Sequence, residues 1–139
     1  MITATFSTTT SLVTKEKIWR LMADVNSWKH WDTGVEHAEL LGKFESGSSF
    51  ILKPAGGPRI KIKLVDVQPC SYFKDQTTFP LAKMYGEHWY EDTPAGLKVT
   101  VRMTMTGILS ALWNKLVMKD IVSRLEEDIH IQIATAQKQ

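Results

Sequence analysis

Four histidines, one cysteine and fifteen carboxylates are the side chains in this sequence with reactive chemistry to offer. His30, His37, His88 and His130 show no metal-ligand spacing, such as two histidines four apart on one helix, so no metal site is expected. Cys70 lies in a Gln68-Pro69-Cys70 turn with nothing nearby in sequence to favour its thiolate, and is read as structural. No serine or cysteine sits in a nucleophile motif. His88 is therefore the sharpest candidate. An imidazole ordinarily titrates near neutral pH and can serve as acid, base or hydrogen-bond partner. Asp75 would make a base–orienter pair with it if both faced inward. The plainer alternative has His88 bonded to an inner neighbour such as Asp75 or Tyr90, with Asp75 turned to solvent or paired near Lys74 or Lys83. The register of the surrounding strands decides between them.

Six strands are read after residue 34: Val35 to Leu41, Ser48 to Lys53, Arg59 to Val67, Ser71 to Phe79, Met84 to Glu91 and Leu97 to Thr106. Gly42, Pro54-Ala55-Gly56-Gly57-Pro58, Gln68-Pro69-Cys70, Pro80-Leu81 and Asp92–Gly96 punctuate them. Ile2 to Thr10, rich in threonine, reads as a first strand. Setting Glu91 opposite Lys98 places Glu87 opposite Arg102, so complementary charges share one face. The other face then carries Met84, Gly86, His88 and Tyr90 beside Val99, Val101, Met103 and Met105. A slip of one residue would bury the charges. The Pro54–Pro58 hairpin sorts in the same way. Lys53, Arg59, Lys61 and Lys63 face out, and Phe50, Leu52, Ile60, Ile62 and Leu64 face in. Val65 and Val67 break the alternation, which predicts a bulge. Turning Phe73 and Phe79 inward brings Asp75 and Thr77 with them and sets Asp75 near His88.

Thr14 is placed to cap a short helix, Lys15 to Ala23, and Asp24 or Asn26 to cap a second turn carrying Trp28 and Trp31. These two indoles are read as packing groups, with pocket-rim contact as the alternative. Leu109 to Ala136 is a long run without Pro or Gly, in which Ile121, Leu125, Ile129 and Ile133 recur every four residues. As a helix, ~28 residues would span ~42 Å. Lys119-Asp120 interrupts its apolar stripe, so a break is expected there, between a lid-like Leu109–Met118 and a gripped Ile121–Ala136. An antiparallel meander with one apolar face must cover that face, and this helix is the one element long enough.

The stretch from Ile18 to Trp31 (an early helix, Asp24, then Trp28 and Trp31 three apart), Gly96-Leu97-Lys98-Val99-Thr100-Val101, and the Gly107-Ile108-Leu109 lead into the last helix resemble the START-like, or polyketide cyclase/dehydrase-like (SRPBCC), superfamily. The resemblance covers nearly the whole chain. It implies an α+β helix-grip fold: a curved antiparallel sheet of about seven strands wrapped round a long C-terminal helix, with two short helices after the first strand. It also implies a cavity between sheet and helix for hydrophobic or amphipathic small molecules, and it carries over no universal catalytic residue.

Residues 1–139 are accordingly read as one ligand-binding domain for a lipid, polyketide or aromatic-like molecule, with no cofactor. The expected liners are Phe50, Leu52, Ile62, Phe73, His88 and Tyr90 from the strands between Ser48 and Glu91. Val101, Met103, Trp113, Ile121 and Leu125 complete the wall, and Trp113 and Met118 stand near the cavity entrance. The rival reading is a cyclase or dehydratase with His88 as acid/base, oriented by Asp75 or Tyr90. A third is an interaction module, monomer or homodimer, using the basic stripe or an exposed strand near the N-terminus or at Ser48–Lys53. A net charge of +2, and a basic stripe without interleaved aromatics, argue against nucleic acid. With one cysteine, no apolar run of membrane-span length and no basic-then-apolar leader, a cytoplasmic location is expected.

Overall fold

The computed structural model describes residues 1–139. Seven strands form one antiparallel curved sheet: β1 (Ile2–Thr10), β2 (Val35–Leu41), β3 (Ser49–Pro54), β4 (Ile60–Gln68), β5 (Tyr72–Phe79), β6 (Ala82–Thr93) and β7 (Gly96–Thr106). Their order is β1-β7-β6-β5-β4-β3-β2, a meander closed by the first strand pairing with the last. The register on the charged face is the expected one, with Glu91 opposite Lys98 and Glu87 opposite Arg102. Residues Leu97, Val99, Val101, Met103 and Met105 of β7 are buried in strict alternation. The bulge falls between Leu64 and Asp66, and it leaves Val65 exposed while Leu64 is buried. The free edges are β1 and β2. Ser49–Pro54 is paired on both sides and offers no edge, contrary to the expectation for Ser48–Lys53, because β2 folds back along it from Val35 to Leu41.

The chain crosses from β1 to β2 through α1 (Lys15–Ala23) and a 3₁₀ turn (Val25–His30). Thr14 caps α1, its side chain accepting from Lys17 N at 3.2 Å. Asp24 precedes the 3₁₀ turn without a side-chain cap bond. Asn26 Oδ1 instead accepts from Leu40 N at 2.7 Å and fastens the turn to β2.

After β7, Gly107 takes φ +108°, and a Cβ there would stand 2.5 Å from the Leu81 carbonyl oxygen. That close approach lets Leu109 N donate to the same oxygen at 3.0 Å, seating the start of the last helical region on the β5–β6 turn. The region runs as α2 (Ser110–Trp113), a π-helical turn (Asn114–Met118), α3 (Lys119–Ser123) and α4 (Leu125–Gln137). The break lies at Arg124, with φ −108° and ψ 1°, not at Lys119-Asp120. Lys119 and Asp120 are exposed on a continuous helix, so their polarity marks its solvent side and not its end. The bend follows from Ser123, whose hydroxyl donates to the Asp120 carbonyl at 2.6 Å and competes with the backbone ladder. No helix is long and apolar enough to cross a membrane.

Candidate functional site

Alternation along β6 turns Glu87 and Trp89 outward and His88 and Tyr90 inward. His88 pairs with Phe73 across β5, and its ring stacks on that phenyl at 4.1 Å between centroids. Its Nε2 is 3.5 Å from Asp75 Oδ2, a contact longer than a strong hydrogen bond. Asp75 reaches that position because its partner on β6 is Gly86: a Cβ on Gly86 would lie 2.9 Å from Asp75 Oδ1. His88 Nδ1 is buried and has no protein partner.

This pair stands on the wall of a cavity of about 640 Å³ between sheet and helices. Phe50, Leu52, Ile62 and Phe73 line it from β3, β4 and β5, and Val101 and Met103 line it from β7. Ile121 and Leu125 close it from the helical side. Asp75 and His88 supply polar groups among these apolar walls. Trp28 and Trp31 line the cavity beside the 3₁₀ turn. Trp28 is fixed by donating to the Met22 carbonyl at 3.1 Å and by an edge-on contact with Phe50. Trp31 Nε1 and Gln132 Oε1, also on the lining, are buried without protein partners.

Two expected liners stand elsewhere. Tyr90 is buried among Trp19 and Phe73, at 6.1 and 6.5 Å between ring centroids, because β6 continues past the cavity to the region covered by α1. Its hydroxyl has no partner, and burial pushes its pKa up. Trp113 stacks on Phe79 at 4.7 Å and donates to the Pro80 carbonyl at 2.9 Å, which pins it to the β5–β6 turn. Met118 is fully buried and likewise outside the lining.

Other lining groups escaped the sequence reading. Asp128 and Gln132 of α4 face the cavity three residues after Leu125 and Ile129. Their helical spacing from the apolar stripe was the available signal. Asp32, Asp120 and Arg124 also line it, and Arg124 donates to Asp120 at 3.0 Å. Burial first, and then the nearby Asp32 carboxylate, raise the Asp128 pKa above its ordinary value. No three His, Cys, Asp or Glu side chains gather as a metal-ligating group.

The outer face is a polar lattice. Tyr72 donates to Glu87 at 2.7 Å, and Arg102 donates to the same carboxylate through Nε and Nη2 at 3.1 and 3.0 Å while lying over Trp89. Burial alone would raise the Glu87 pKa, but the bonds from Tyr72 and Arg102 outweigh it and hold the carboxyl low. A second depression, about 610 Å³, lies by Lys15 and Asp92, which form an ion pair at 3.2 Å. Only three of its eight lining residues are hydrophobic, so it lacks the enclosed apolar character of the first.

Residues 1–134 match a family model described as polyketide cyclase / dehydrase and lipid transport. A search of curated protein sequences finds no match. Among solved structures, a hypothetical protein from Helicobacter pylori superposes with a TM-score of 0.76 at 7% identity, over 97% of this chain and 88% of that one. Ara h 8.0201 superposes at 0.73 and 14% identity, over 99% of this chain and 100% of that one. The Zhui aromatase/cyclase from Streptomyces sp. R1128 superposes at 0.70 and 16% identity, over 99% and 95%. At such identities these structures speak to the fold alone.

Proposed function

The chain belongs to the polyketide cyclase/dehydrase and lipid transport family, within the START-like (SRPBCC) superfamily, and from that premise we propose that it binds a small, largely apolar molecule between sheet and helix. The observation that carries this reading is the cavity of about 640 Å³. Its walls are mostly apolar, with a few polar groups among them, the pattern of a small-molecule site. Three of those groups, Trp31 Nε1, His88 Nδ1 and Gln132 Oε1, are buried without protein partners and suit an amphipathic ligand. Residues 1–139 then act as one binding domain, in which Phe50, Leu52, Ile62, Phe73, Val101, Met103, Ile121 and Leu125 supply apolar contact.

Native mass spectrometry of the freshly purified protein should reveal a co-purifying molecule. After its removal, titration with 1-anilinonaphthalene-8-sulfonate should saturate at one probe per chain. Val101→Phe, which adds bulk to the wall, should weaken uptake at least tenfold with the fold retained. Absence of both a bound molecule and saturable uptake would refute the reading, as would unchanged uptake by the filled variant.

A second reading has one specific observation in its favour, the His88–Asp75 pair at 3.5 Å. In a dehydratase, His88 would take a proton from a carbon next to a ketone. The released electron pair would form the carbon–carbon double bond as the neighbouring hydroxyl left, and the protonated imidazole would return its proton to that hydroxyl, which departs as water. Asp75 would orient the imidazole. Turnover of a polyketide-like β-hydroxyketone by wild type, unchanged in His88→Ala, would remove His88 from any such mechanism.

A further inference from the structure

Nine large apolar residues of this chain are exposed, and four of them gather at one place: Leu81 at 63%, Ile108 at 85%, Leu112 at 46% and Leu116 at 59%. Scattered exposed apolar side chains need no explanation, but a cluster does. Leu81 and Ile108 come together because Leu109 N donates to the Leu81 carbonyl, and Leu112 and Leu116 follow along the helical region. Leu116 also lines the cavity, so the apolar surface runs from the β5–β6 turn to the cavity mouth.

Turn chemistry does not account for Leu81. It adopts φ +58°, a left-handed conformation in which Gly or Asn is favoured and a branched side chain is strained. A polar or small residue would satisfy this turn better, both in backbone energy and in exposure. Strain and exposure combined at one residue point to a surface role. Trp113 braces the turn through its bond to the Pro80 carbonyl.

Charge selects the occupant. From Gly107 to Lys119 the chain carries Lys115 and Lys119, both exposed, and no acidic residue; Lys83, also exposed, follows Leu81 by two positions. In a twofold contact between copies these lysines would face like charges. Four protruding side chains also offer far less than the roughly 800 Å² per partner of a stable protein interface. Projecting apolar groups backed by lysines fit an anionic phospholipid surface, with the side chains in the acyl boundary and the ammonium groups at the headgroups.

We propose that Leu81, Ile108, Leu112 and Leu116, with Lys83, Lys115 and Lys119, dock the protein on anionic bilayers, holding the cavity mouth at the lipid surface. This goes beyond ligand binding and is tested without reference to any cavity occupant. The assay is flotation of the full chain with vesicles of phosphatidylcholine and phosphatidylglycerol at 7:3, against vesicles of phosphatidylcholine alone. The wild type should partition at least tenfold more strongly to the anionic vesicles, and 0.5 M salt should reduce that preference. The double variant Ile108→Asp/Leu112→Asp should lose at least tenfold. The pair Lys115→Glu/Lys119→Glu should lose the preference for anionic lipid. Leu12→Asp should float like wild type, since Leu12 follows β1, whose Thr10 pairs with Leu97 at the opposite end of β7 from this patch. All five substituted sites are exposed, and thermal melting checks each fold. Equal partitioning of wild type and Ile108→Asp/Leu112→Asp would overturn the proposal, as would absence of binding to either vesicle. A dimer by light scattering that Ile108→Asp/Leu112→Asp dissolves would assign the patch to a second copy instead.

Discussion

The two ends of this sheet are covered differently. Toward one end α1 lies against α4 and β6, and Ile18, Leu21, Val99, Ile133 and Ala136 fill the space there, all buried and none on the cavity. Toward the other, the 3₁₀ turn, the β3–β4 hairpin and α3 stand around about 640 Å³. The boundary runs along β6 itself. Tyr90 belongs to the solid end and His88, two residues earlier, to the cavity, with Phe73 touching both rings. Apart from the Tyr90 hydroxyl, which is buried without a partner at the solid end, inward polar groups follow the same division. Asp75, Thr77, His88, Asp128 and Gln132 all line the cavity, where a partner other than the protein can reach them. One fold thus separates a region that supplies stability from a region that gives some of it up.

The sharpest way to break that contrast is to remove the same kind of side chain from each end. Ile18 is fully buried, and Ile18→Ala should cost about 2–5 kcal/mol, because a solid site relaxes only partly around the lost atoms. Leu52 is partly exposed on the cavity wall, and Leu52→Ala should cost less than about 1.5 kcal/mol, since mainly transfer free energy is lost there. Urea denaturation of both variants checks this, and equal losses would erase the distinction between the ends.

Next in size is Gly86→Ala. The new methyl would sit 2.9 Å from the present position of Asp75 Oδ1, so the carboxylate must swing away from His88. A loss of about 1–2 kcal/mol is expected, as for modest overpacking of a filled site. The His88 imidazole signals should move with it in proton NMR. Unmoved His88 signals would mean that the pair is not coupled through this contact.

The solid end and the sheet register were legible in the sequence for a common reason: strict alternation. Glu87, Glu91, Lys98 and Arg102 could be exposed together in only one register, and that choice placed His88 and Asp75 inward as well. The cavity wall was legible only as far as single strands decide it. Tyr90 shares the His88 face but not its place along the strand, and position along a strand depends on which helix lies above. Trp113 and the bend at Arg124 were out of reach for another reason. Trp113 is held at the β5–β6 turn by stacking on Phe79 and by its bond to the Pro80 carbonyl, tertiary contacts with no periodic signal, and a serine bonding back to a carbonyl looks in sequence like any exposed serine. Asp128 and Gln132 read as the polar side of a surface helix, and only the hollow beneath α4 makes them lining groups.

The outer face offers a smaller effect, independent of both ends. Glu87→Gln keeps the shape but removes the charge that Tyr72 and Arg102 share, and should cost about 1–2 kcal/mol at neutral pH, Arg102 being partly exposed. Because the folded-state pKa of Glu87 is depressed, its contribution is present above the unfolded pKa. It is lost as pH falls through the folded value. The gap between wild type and Glu87→Gln in urea midpoints should therefore close in acid. A gap that persisted well below the carboxylate range would assign the loss to shape and not to charge.

The smallest expected effect has the opposite sign and returns to the cavity rim. Asp128 is partly buried beside Asp32, and burial first, then that neighbouring charge, raise its pKa in the folded state. A raised folded pKa means that the native chain holds the proton more tightly than the unfolded chain does. The stability this brings is complete below the unfolded pKa and is lost as pH rises through the folded one. At neutral pH the ionised carboxylate is thus a burden, eased only in part by Arg124. Asp128→Asn should stabilise the protein at pH 7 by a few tenths of a kcal/mol, because solvent screens a half-exposed charge. The gain should vanish at acid pH, where Asp128 is protonated in both states. Thermal melting of the two proteins from pH 3 to 8 reads the difference directly. If Asp128→Asn were the less stable protein at neutral pH, Arg124 would be holding a favourable ion pair, and the rim would belong with the stabilising end of the molecule.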